Sequence, residues 1–368
     1  MLFAVTLTLA AAAAVSASPI EPRAKTAVLP LKHVVKATSI KGLVQKGQAR
    51  IHKVNGQAST FAHVLASSGS VTNEDVSYVA PVVIGGKTWE LIVDTGSSNT
   101  WCGAQSSCEP TSTGKSTGGS VSVSYGSGSF SGTEYKDKVS FGGLSVAAQS
   151  IGAASTATGF SGVDGIIGFG PVGLTEGTVS NANTVPTFLD NLYSQGSISS
   201  EVLGVSFRPE SGSDDDDTNG ELTLGGTDSS KYSGSLTYFP TLTSGSAAAG
   251  IVDTGTTLIY IPTTAYNKFL TAAGGKTDSS SGLAVFTTKP TSNFGIKFGS
   301  TTYTLTPAQY LVPTAQYSNF GLTSGKYYAW INDGGSSGVN TIIGQKFLEN
   351  YYSVYDTTNS RIGFATAA

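Results

Sequence analysis

Short apolar runs rich in valine, isoleucine and leucine recur along the chain, separated by glycine, serine and threonine. Two of them, at 91–93 and 251–252, each lead into an aspartate, Asp94 or Asp253, in a turn that contains glycine. A short continuous apolar run bounded by turn residues is typical of a buried strand. A charged fraction of only 12% and 46 glycines among 368 residues disfavour a coiled coil or a charged disordered chain. The pattern predicts an all-β protein.

The two aspartate turns are part of a longer internal repeat. Each is followed, further along the chain, by a second apolar strand that ends in glycine, at 165–168 and at 341–344. Two copies of a strand-turn unit with its partner strand predict two related lobes that face each other across an approximate twofold axis. We expect lobes at 71–239 and 240–368, with the two turns meeting between them.

The first 70 residues differ from the rest in charge and hydropathy. Residues 1–17 are mostly apolar, carry no charged side chain and end in small residues, which predicts a secretory signal peptide. Residues 18–70 hold eight basic residues and one acidic residue, whereas the remainder holds 13 basic and 23 acidic residues. This balance predicts a basic pro-segment bound to the acidic body of its own chain; a tail without function is the alternative. No later stretch has the roughly 18 apolar residues of a membrane span, so we expect a secreted, extracellular protein.

The first 70 residues, which we call the leader, contain all three histidines, His33, His52 and His63. We call the remainder of the chain the body. The body then has no imidazole, which excludes Ser/His/Asp and Cys/His hydrolysis and histidine-based zinc chemistry. Catalysis would have to use carboxylates, hydroxyls, lysine or a bound cofactor, and we expect no metal and no cofactor. Cys102 and Cys108, six residues apart, either close a small disulfide loop in an oxidising compartment or remain free thiols.

The repeated aspartates suggest acid/base chemistry. A single Asp-Thr-Gly turn is more often an aspartate that bonds its own backbone than a catalytic group. Two such carboxylates in contact cannot both ionise, so they share one proton. One can then act as a base on water while the other, protonated, acts as an acid on a carbonyl group. Small hydroxyls close to each aspartate can donate hydrogen bonds that fix the carboxylates.

These motifs, in this order, resemble those of the pepsin-like aspartic endopeptidases, and most of all the secreted fungal, polyporopepsin-like members. Residues 94–99 with Trp101 look like the first catalytic loop of that family, and 253–258 look like the second. Residues 123–129 are similar to the flap, a hairpin that closes over the substrate. The family is itself the general example of two carboxylates that share a proton.

The resemblance covers nearly all of the chain after about residue 70. Residues 164–170 and 342–344 resemble the hydrophobic segments that lie beneath the two catalytic loops. The implied fold is the bilobal pepsin-like fold, in which two β lobes related by a pseudo-twofold axis enclose the active-site cleft.

The resemblance also implies a role for each motif residue. Asp94 and Asp253 would be the catalytic pair. The loop residues that would support this pair are Thr95, Gly96, Ser97, Thr254, Gly255 and Thr256. The hydroxyls three residues after each aspartate would donate to the outer carboxylate oxygens, and the threonines directly after the aspartates would interlock the loops.

For substrate binding, the resemblance implies a role for the flap. Tyr125 would be the flap residue, with a hydrogen bond toward Trp101, and would bound a substrate pocket. Gly126 and Ser127 would offer backbone groups to an extended peptide bound as an added strand.

The function implied is that of a secreted endopeptidase that acts at acid pH and is made as a self-activating zymogen. Its expected partners are polypeptide substrates, pepstatin-type inhibitors, and its own pro-segment as an intramolecular inhibitor. We expect Lys36 or Lys41 of that segment to lie over the aspartate pair. We expect a monomer, with no nucleic-acid and no membrane partner.

One segment departs from the family pattern. Between Phe239 and Gly250 the family usually has a longer stretch, with a strand that packs under the second catalytic loop; here a short serine-, threonine- and alanine-rich segment takes its place. This predicts a weak second lobe. It also leaves an alternative, a catalytically weak or inactive pepsin-like binding or inhibitor protein. A carbohydrate-binding β-protein is a third reading, favoured only by composition.

Overall fold

The structure is a computed structural model. It describes residues 26–35, 40–56, 76–109, 111–126, 128–209, 218–241 and 250–368. The predicted signal peptide, 1–17, and part of the predicted pro-segment lie outside these ranges. Strands far outnumber helices in the described chain, as predicted for an all-β protein. None of the described helices is long and apolar enough to cross a bilayer.

The described leader forms one strand and one helix, and the first lobe follows as a series of strands. The leader elements are β1 (Ala27–Val35) and α1 (Ile40–Val54). The elements that follow them are β2 (Val76–Ile84), β3 (Lys87–Asp94), β4 (Trp101–Cys102), β5 (Lys115–Ser124), β6 (Ser129–Phe141), β7 (Leu144–Thr158), β8 (Gly165–Gly168), α2 (Phe188–Ser194), β9 (Val202–Ser206) and β10 (Gly220–Leu224).

The second half of the chain has shorter strands and more helical turns. Its elements are β11 (Tyr232–Pro240), β12 (Gly250–Val252), β13 (Ile259–Ile261), α3 (Thr263–Ala273), β14 (Gly275–Thr277), β15 (Ala284–Phe286), β16 (Phe294–Phe298), β17 (Thr301–Leu305), α4 (Pro307–Tyr310), β18 (Tyr327–Ala329), β19 (Ile331–Asp333), β20 (Thr341–Ile343), α5 (Gln345–Leu348), β21 (Tyr351–Asp356) and β22 (Arg361–Ala367).

A 13-stranded sheet joins the two halves of the chain, with the order β11-β22-β21-β9-β10-β1-β2-β3-β8-β4-β7-β6-β5. Leader strand β1 lies in the middle of this order. Its first half, 27–31, pairs antiparallel with β10, and its second half, 32–35, pairs antiparallel with β2. The leader strand is therefore an internal strand of the sheet and not an appendage.

The leader helix α1 shares a hydrophobic core with the second lobe. Leu43, Val44 and Ile51 are buried in one cluster with Tyr260 of β13. The Tyr260 hydroxyl donates to the Val44 carbonyl at 2.8 Å. A Cβ on Gly47 would lie 2.2 Å from the Tyr260 ring, so the helix can pack this closely only because the residue is glycine. The sequence of α1 is thus fitted to the lobe that it covers.

The two strands that end at aspartates have equivalent parallel partners. Strand β3 pairs parallel with β8, so that Asp94 lies opposite Gly168. Strand β12 pairs parallel with β20, and the Asp253 N–H donates to the Ile343 carbonyl at 3.0 Å. The internal repeat in the sequence therefore corresponds to a repeat in the fold, and it brings both aspartates to the junction of the lobes.

Candidate active site

Asp94 and Asp253 are buried, and the turns that follow them hold the two carboxylates in the same way. In the first turn, the Gly96 N–H donates to Asp94 Oδ1 at 3.0 Å, and the Ser97 hydroxyl donates to Oδ2. In the second turn, the Gly255 N–H donates to Asp253 Oδ1 at 2.9 Å, and the Thr256 hydroxyl donates to Oδ2 at 2.5 Å. Each carboxylate thus has one backbone donor and one hydroxyl donor.

Thr95 and Thr254 lock the two turns together. The Thr95 N–H donates to the Thr254 hydroxyl at 2.9 Å, and the Thr254 N–H donates to the Thr95 hydroxyl at 3.1 Å. Each hydroxyl also donates across the junction, from Thr254 to the Val93 carbonyl at 2.8 Å and from Thr95 to the Val252 carbonyl at 3.1 Å. These reciprocal bonds fix one turn relative to the other.

The glycine of each turn lies against the opposite carboxylate. A Cβ on Gly96 would lie 2.6 Å from Asp253 Oδ1, and a Cβ on Gly255 would lie 2.4 Å from Asp94 Oδ1. Any side chain at either position would push the carboxylates apart. The glycines are therefore needed for the close approach of the two aspartates.

Leader residue Arg50, itself buried, bridges the pair. Its Nη2 lies 2.6 Å from Asp94 Oδ1, and its Nε lies 2.8 Å from Asp253 Oδ2. The expectation of Lys36 or Lys41 in this place is therefore wrong: Lys41 is exposed at the start of α1, and Lys36 lies outside the described residues. A guanidinium can donate to two carboxylates at once from a rigid plane, which an ammonium cannot do.

The register of α1 explains why Arg50 reaches the pair. Leu43, Gly47 and Arg50 are spaced four and three residues apart, so they lie on one face of the helix, and all three are buried. The spacing could have been read from the sequence. The place where α1 begins relative to the aspartate pair could not be read from the sequence, because it depends on how strand β1 pairs in the sheet.

The two carboxyl groups have opposite pKa shifts. Burial raises the pKa of Asp94, but the charge and hydrogen bonds of Arg50, with those of Ser97 and Gly96, bring it below its ordinary value. For Asp253, burial and the charge of Asp94 outweigh Arg50, and the pKa rises to about 6. Burial opposes the charge on Arg50, but the two carboxylates raise its pKa, so it stays charged. A proton added to the pair in mild acid would therefore weaken the hold on Arg50.

The predicted flap residue Tyr125 packs beside Trp101. Their ring planes are inclined by 28°, with centroids 6.3 Å apart, and Phe160 meets the Tyr125 ring edge-on at 5.4 Å. Within the described part of the chain, neither the Tyr125 hydroxyl nor the Trp101 indole N–H makes a hydrogen bond of standard geometry. Burial raises the pKa of the Tyr125 hydroxyl, and its contact with the Trp101 indole N–H lowers it, so the two groups face each other as expected.

The flap tip rests on the leader helix. A Cβ on Gly126 would lie 2.6 Å from the Lys46 carbonyl oxygen, so the flap backbone touches the helix backbone. The Lys53 ammonium lies 5.0 Å from the centroid of the Tyr125 ring, within the range of a cation–π contact. Ser127 lies outside the described residues. The predicted flap is therefore in contact with α1 at both Gly126 and Tyr125.

Very little space remains beside the carboxylate pair. The remaining cavity has a volume of about 20 Å³ and is lined by Lys46, Arg50, Ile92, Asp94 and Tyr125, among others. This is room for roughly one water molecule. The residues of α1 therefore fill most of the space beside the carboxylate pair.

Two further predictions concern cysteine and metals. Cys102 and Cys108 form a disulfide with their Cα atoms 5.6 Å apart, which confirms the closed loop and excludes free thiols. Over the described ranges, no three histidine, cysteine or acidic side chains converge in a way that could hold a metal ion.

Comparison with known proteins identifies the family. The family model for eukaryotic aspartyl proteases matches residues 77–248 and 241–367. The chain belongs to this family. Polyporopepsin of Irpex lacteus is 46% identical, covering 82% of this chain and 98% of the relative. Penicillopepsin-1 of Talaromyces stipitatus is 31% identical and covers 88% of each chain.

A solved structure shows the same fold. The crystal structure of the aspartic proteinase from Irpex lacteus matches with a TM-score of 0.78 and 39% identity, over 94% of this chain and 98% of that chain. The bilobal pepsin-like fold is thereby confirmed, and so is the prediction of an aspartic endopeptidase.

The alignment with polyporopepsin also indicates missing positions. It spans 334 positions, whereas 82% of this 368-residue chain is 302 residues. The relative therefore has about 30 aligned positions without a counterpart here. This agrees with a chain that is shorter than the family pattern.

Proposed function

We propose that the protein is a secreted endopeptidase that hydrolyses peptide bonds at acid pH, with Asp94 and Asp253 as its catalytic pair. With one proton shared between them, one carboxylate takes a proton from a water molecule while the other protonates the carbonyl oxygen of the scissile bond. Water then adds to the carbonyl carbon, and the C–N bond breaks after the amine nitrogen gains a proton. The observation that carries this proposal is the symmetric burial and hydrogen bonding of the two carboxylates.

The loop residues would keep the pair ready for this reaction. Ser97 and Thr256 would keep the carboxylates oriented, and the interlocked threonines would hold the two lobes in register. Once the leader has left, Tyr125, Trp101 and the backbone of Gly126 and Ser127 would line the cleft. An extended peptide could bind there as an added strand.

We further propose that residues 18–70 are a pro-segment that inhibits the enzyme in its own chain. Three observations support this: Arg50 pairs with both carboxylates, the flap backbone touches α1, and almost no free volume remains in the site. Acid would loosen the leader because the carboxylate pair gains a proton and loses part of its attraction for Arg50.

The first experiment tests proteolysis and its inhibition together. The full chain is incubated with denatured haemoglobin at about pH 3–5 and at pH 7, with and without pepstatin. We expect cleavage only in acid, a bell-shaped pH dependence that belongs to the pair as a unit, and loss of cleavage with pepstatin. Full activity at pH 7 with the leader attached would contradict the proposal.

A matched pair of variants tests the leader contact. Arg50→Gln removes the charge that bridges the carboxylates, so we expect self-processing to begin at a higher pH than in the unmodified chain. Lys41→Gln removes an exposed charge from the same helix and should leave the onset unchanged. Equal onset in both variants would show that Arg50 does not hold the leader in place.

One observation favours a second candidate function. Within the described residues, β12 has a neighbouring strand on one side only, which is compatible with a weakened second lobe. A pepsin-like protein that binds peptides without turning them over would bind pepstatin in acid but cleave no haemoglobin. The same experiment therefore separates the two candidates.

A further inference from the structure

A histidine of the leader is buried in the first lobe, on a different leader element from Arg50, which contacts the aspartate pair. His33 lies on β1 and is only 1% exposed. It is opposite Tyr78 of β2, with ring centroids 4.7 Å apart. Tyr78 in turn stacks on Phe207 at 3.6 Å, and its hydroxyl donates to the Arg208 carbonyl at 2.9 Å. Aromatic side chains of the enzyme body thus pack around a leader imidazole.

The position of His33 in the sheet ties its burial to leader docking. Strand β1 changes partner immediately before it: Leu31 is the last residue paired with β10, and Lys32 is the first paired with β2. His33 follows, in register with β2. Water can reach the imidazole freely only if the β1–β2 pairing opens. Docking of the leader and desolvation of His33 are therefore one event.

The charges around His33 disfavour a proton on it. Burial first, and then the nearby ammonium of Lys346 on α5, lower the pKa of His33 from 6.5 to about 3. Lys346 is itself buried and is held by Glu349 at 2.7 Å. Burial raises the pKa of Glu349, against the effect of Lys346, so acid tends to neutralise that carboxylate. The neighbouring Lys32 and Arg208 side chains are exposed to solvent.

We propose that His33 is an acid sensor of the leader, one that stays neutral while β1 is docked and takes up a proton when β1 detaches. The inference rests on the proposed function of the leader as an inhibitor. It assigns acid release to a second place, distinct from the contact between Arg50 and the carboxylate pair.

The direction of the effect follows from the two pKa values of His33. Well above pH 6.5 the imidazole is neutral in both states, so docking carries no protonation penalty. As the pH falls from 6.5 toward about 3, only the detached leader binds the proton, and docking weakens progressively. At about pH 4 the penalty corresponds to a roughly 300-fold weaker docking equilibrium.

The two acid-sensitive contacts respond to different chemistry. At Arg50 the proton goes to the enzyme body, and the leader loses an ion pair. At His33 the proton goes to the leader, and burial of the charged imidazole against the body then costs free energy. A leader with both contacts would detach over a narrower pH range than one with either contact alone, because each proton favours the same detached state.

The test uses the full chain with His33→Leu, which is apolar and cannot be protonated. We expect the variant to remain inhibited at pH 7. Between about pH 6.5 and pH 4, its rate of self-processing should rise up to about 300-fold less than that of the unmodified chain. The control is His52→Leu, on α1, where the side chain is only partly buried; its pH dependence should match the unmodified chain. Identical pH dependence in all three chains would overturn the inference, while the Arg50 result would stand.

Two further measurements keep the test independent of activity and of folding defects. The protection factors of the amides at 27–35, which correct for the slower intrinsic exchange in acid, should fall in acid in the unmodified chain and much less in His33→Leu or in a second variant, His33→Gln. NMR of the ring should show His33 neutral at pH 5 in the docked chain. A docked His33 that titrates near pH 6.5 would overturn the inference even if the protein proved to have no protease activity.

Discussion

Strand β3, which leads into Asp94, has a neighbour on each side, β2 and β8, and its last four residues are buried. Strand β12, which leads into Asp253, pairs with β20, and over the described residues it is an edge of a four-stranded sheet. Its three residues are exposed or half-buried. The segment 242–249, where a covering strand would be expected, lies outside the described residues.

This difference does not extend to the carboxylates. Asp94 and Asp253 have equivalent donors, and the bonds between Thr95 and Thr254 are reciprocal. The geometry of the pair is set by the turns and by the parallel partners β8 and β20, and over the described residues it does not require a neighbour on the outer side of β12. The chemistry of the two lobes can therefore be equal while their stability is not.

The largest expected effect tests this equality of chemistry. Asp94→Asn and Asp253→Asn should each leave less than about 1% of the acid proteolysis of the unmodified enzyme, because neither carboxylate can complete the proton transfers alone. The control is Asp333→Asn in β19, where an amide oxygen can still accept from Gly335. Cleavage of denatured haemoglobin at about pH 4 measures all three. Retention of substantial activity in only one of the two pair variants would show that the lobes contribute unequally.

The next prediction concerns the short segment before β12. Over the described residues β12 has no neighbour on the side away from β20, and each buried backbone group without a partner costs about 1–3 kcal/mol. We expect the chain as written to be poorly secreted or weakly active, and the messenger to encode about 20 additional residues between Phe239 and Gly250, enough for a strand and its turns.

Two experiments address that prediction. The first sequences the messenger. The second inserts the corresponding polyporopepsin segment between Phe239 and Gly250 and measures secreted yield and the free energy of unfolding, with a glycine-serine insert of equal length as the control. Only the polyporopepsin segment should raise both quantities. An uninterrupted messenger, full activity and one cooperative melt for the chain as written would mean that the lobe closes without that strand.

Features carried by contiguous residues could be predicted from the sequence, and features that depend on long-range pairing could not. The aspartate turns are local motifs whose hydroxyls lie at fixed offsets, so their contacts follow from the spacing. Arg50 was missed because its position depends on where β1 ends in the sheet and where α1 begins.

The stability of the first lobe is expected to depend on pH, for a reason unrelated to strand pairing. Glu134 of β6 is 2% exposed; the Ser150 hydroxyl donates to one carboxylate oxygen, and burial raises the pKa to about 7. Since the unfolded chain ionises near 4.5, the folded lobe is favoured below that pH and loses stability as the pH rises toward 7. The loss amounts to about 3 kcal/mol.

Unfolding by urea at pH 4.5 and at pH 7.5 measures this effect. Glu134→Gln should reduce the difference in unfolding free energy between the two pH values by about 3 kcal/mol. The control variant Glu176→Gln, at an exposed position, should leave the difference unchanged. If the two variants behave alike, Glu134 is not the source of any loss of stability at neutral pH.

The smallest expected effect compares the two aspartate strands at one matched position. Val93 and Val252 each precede an aspartate; Val93 is fully buried, whereas Val252 is half-buried. Truncation to alanine should cost about 2 kcal/mol at Val93 and about 1 kcal/mol at Val252, in proportion to the apolar surface that each one buries. Chemical unfolding of the two variants gives both values, and acid proteolysis should persist in both because the carbonyl groups that accept the threonine hydroxyls are unchanged.

With the polyporopepsin segment inserted, the cost at Val252 should rise toward that at Val93, because a restored neighbouring strand would cover it. If the cost at Val252 stays the same, the inserted segment does not pack beside β12, and the asymmetry between the two strands belongs to the fold and not to the missing residues.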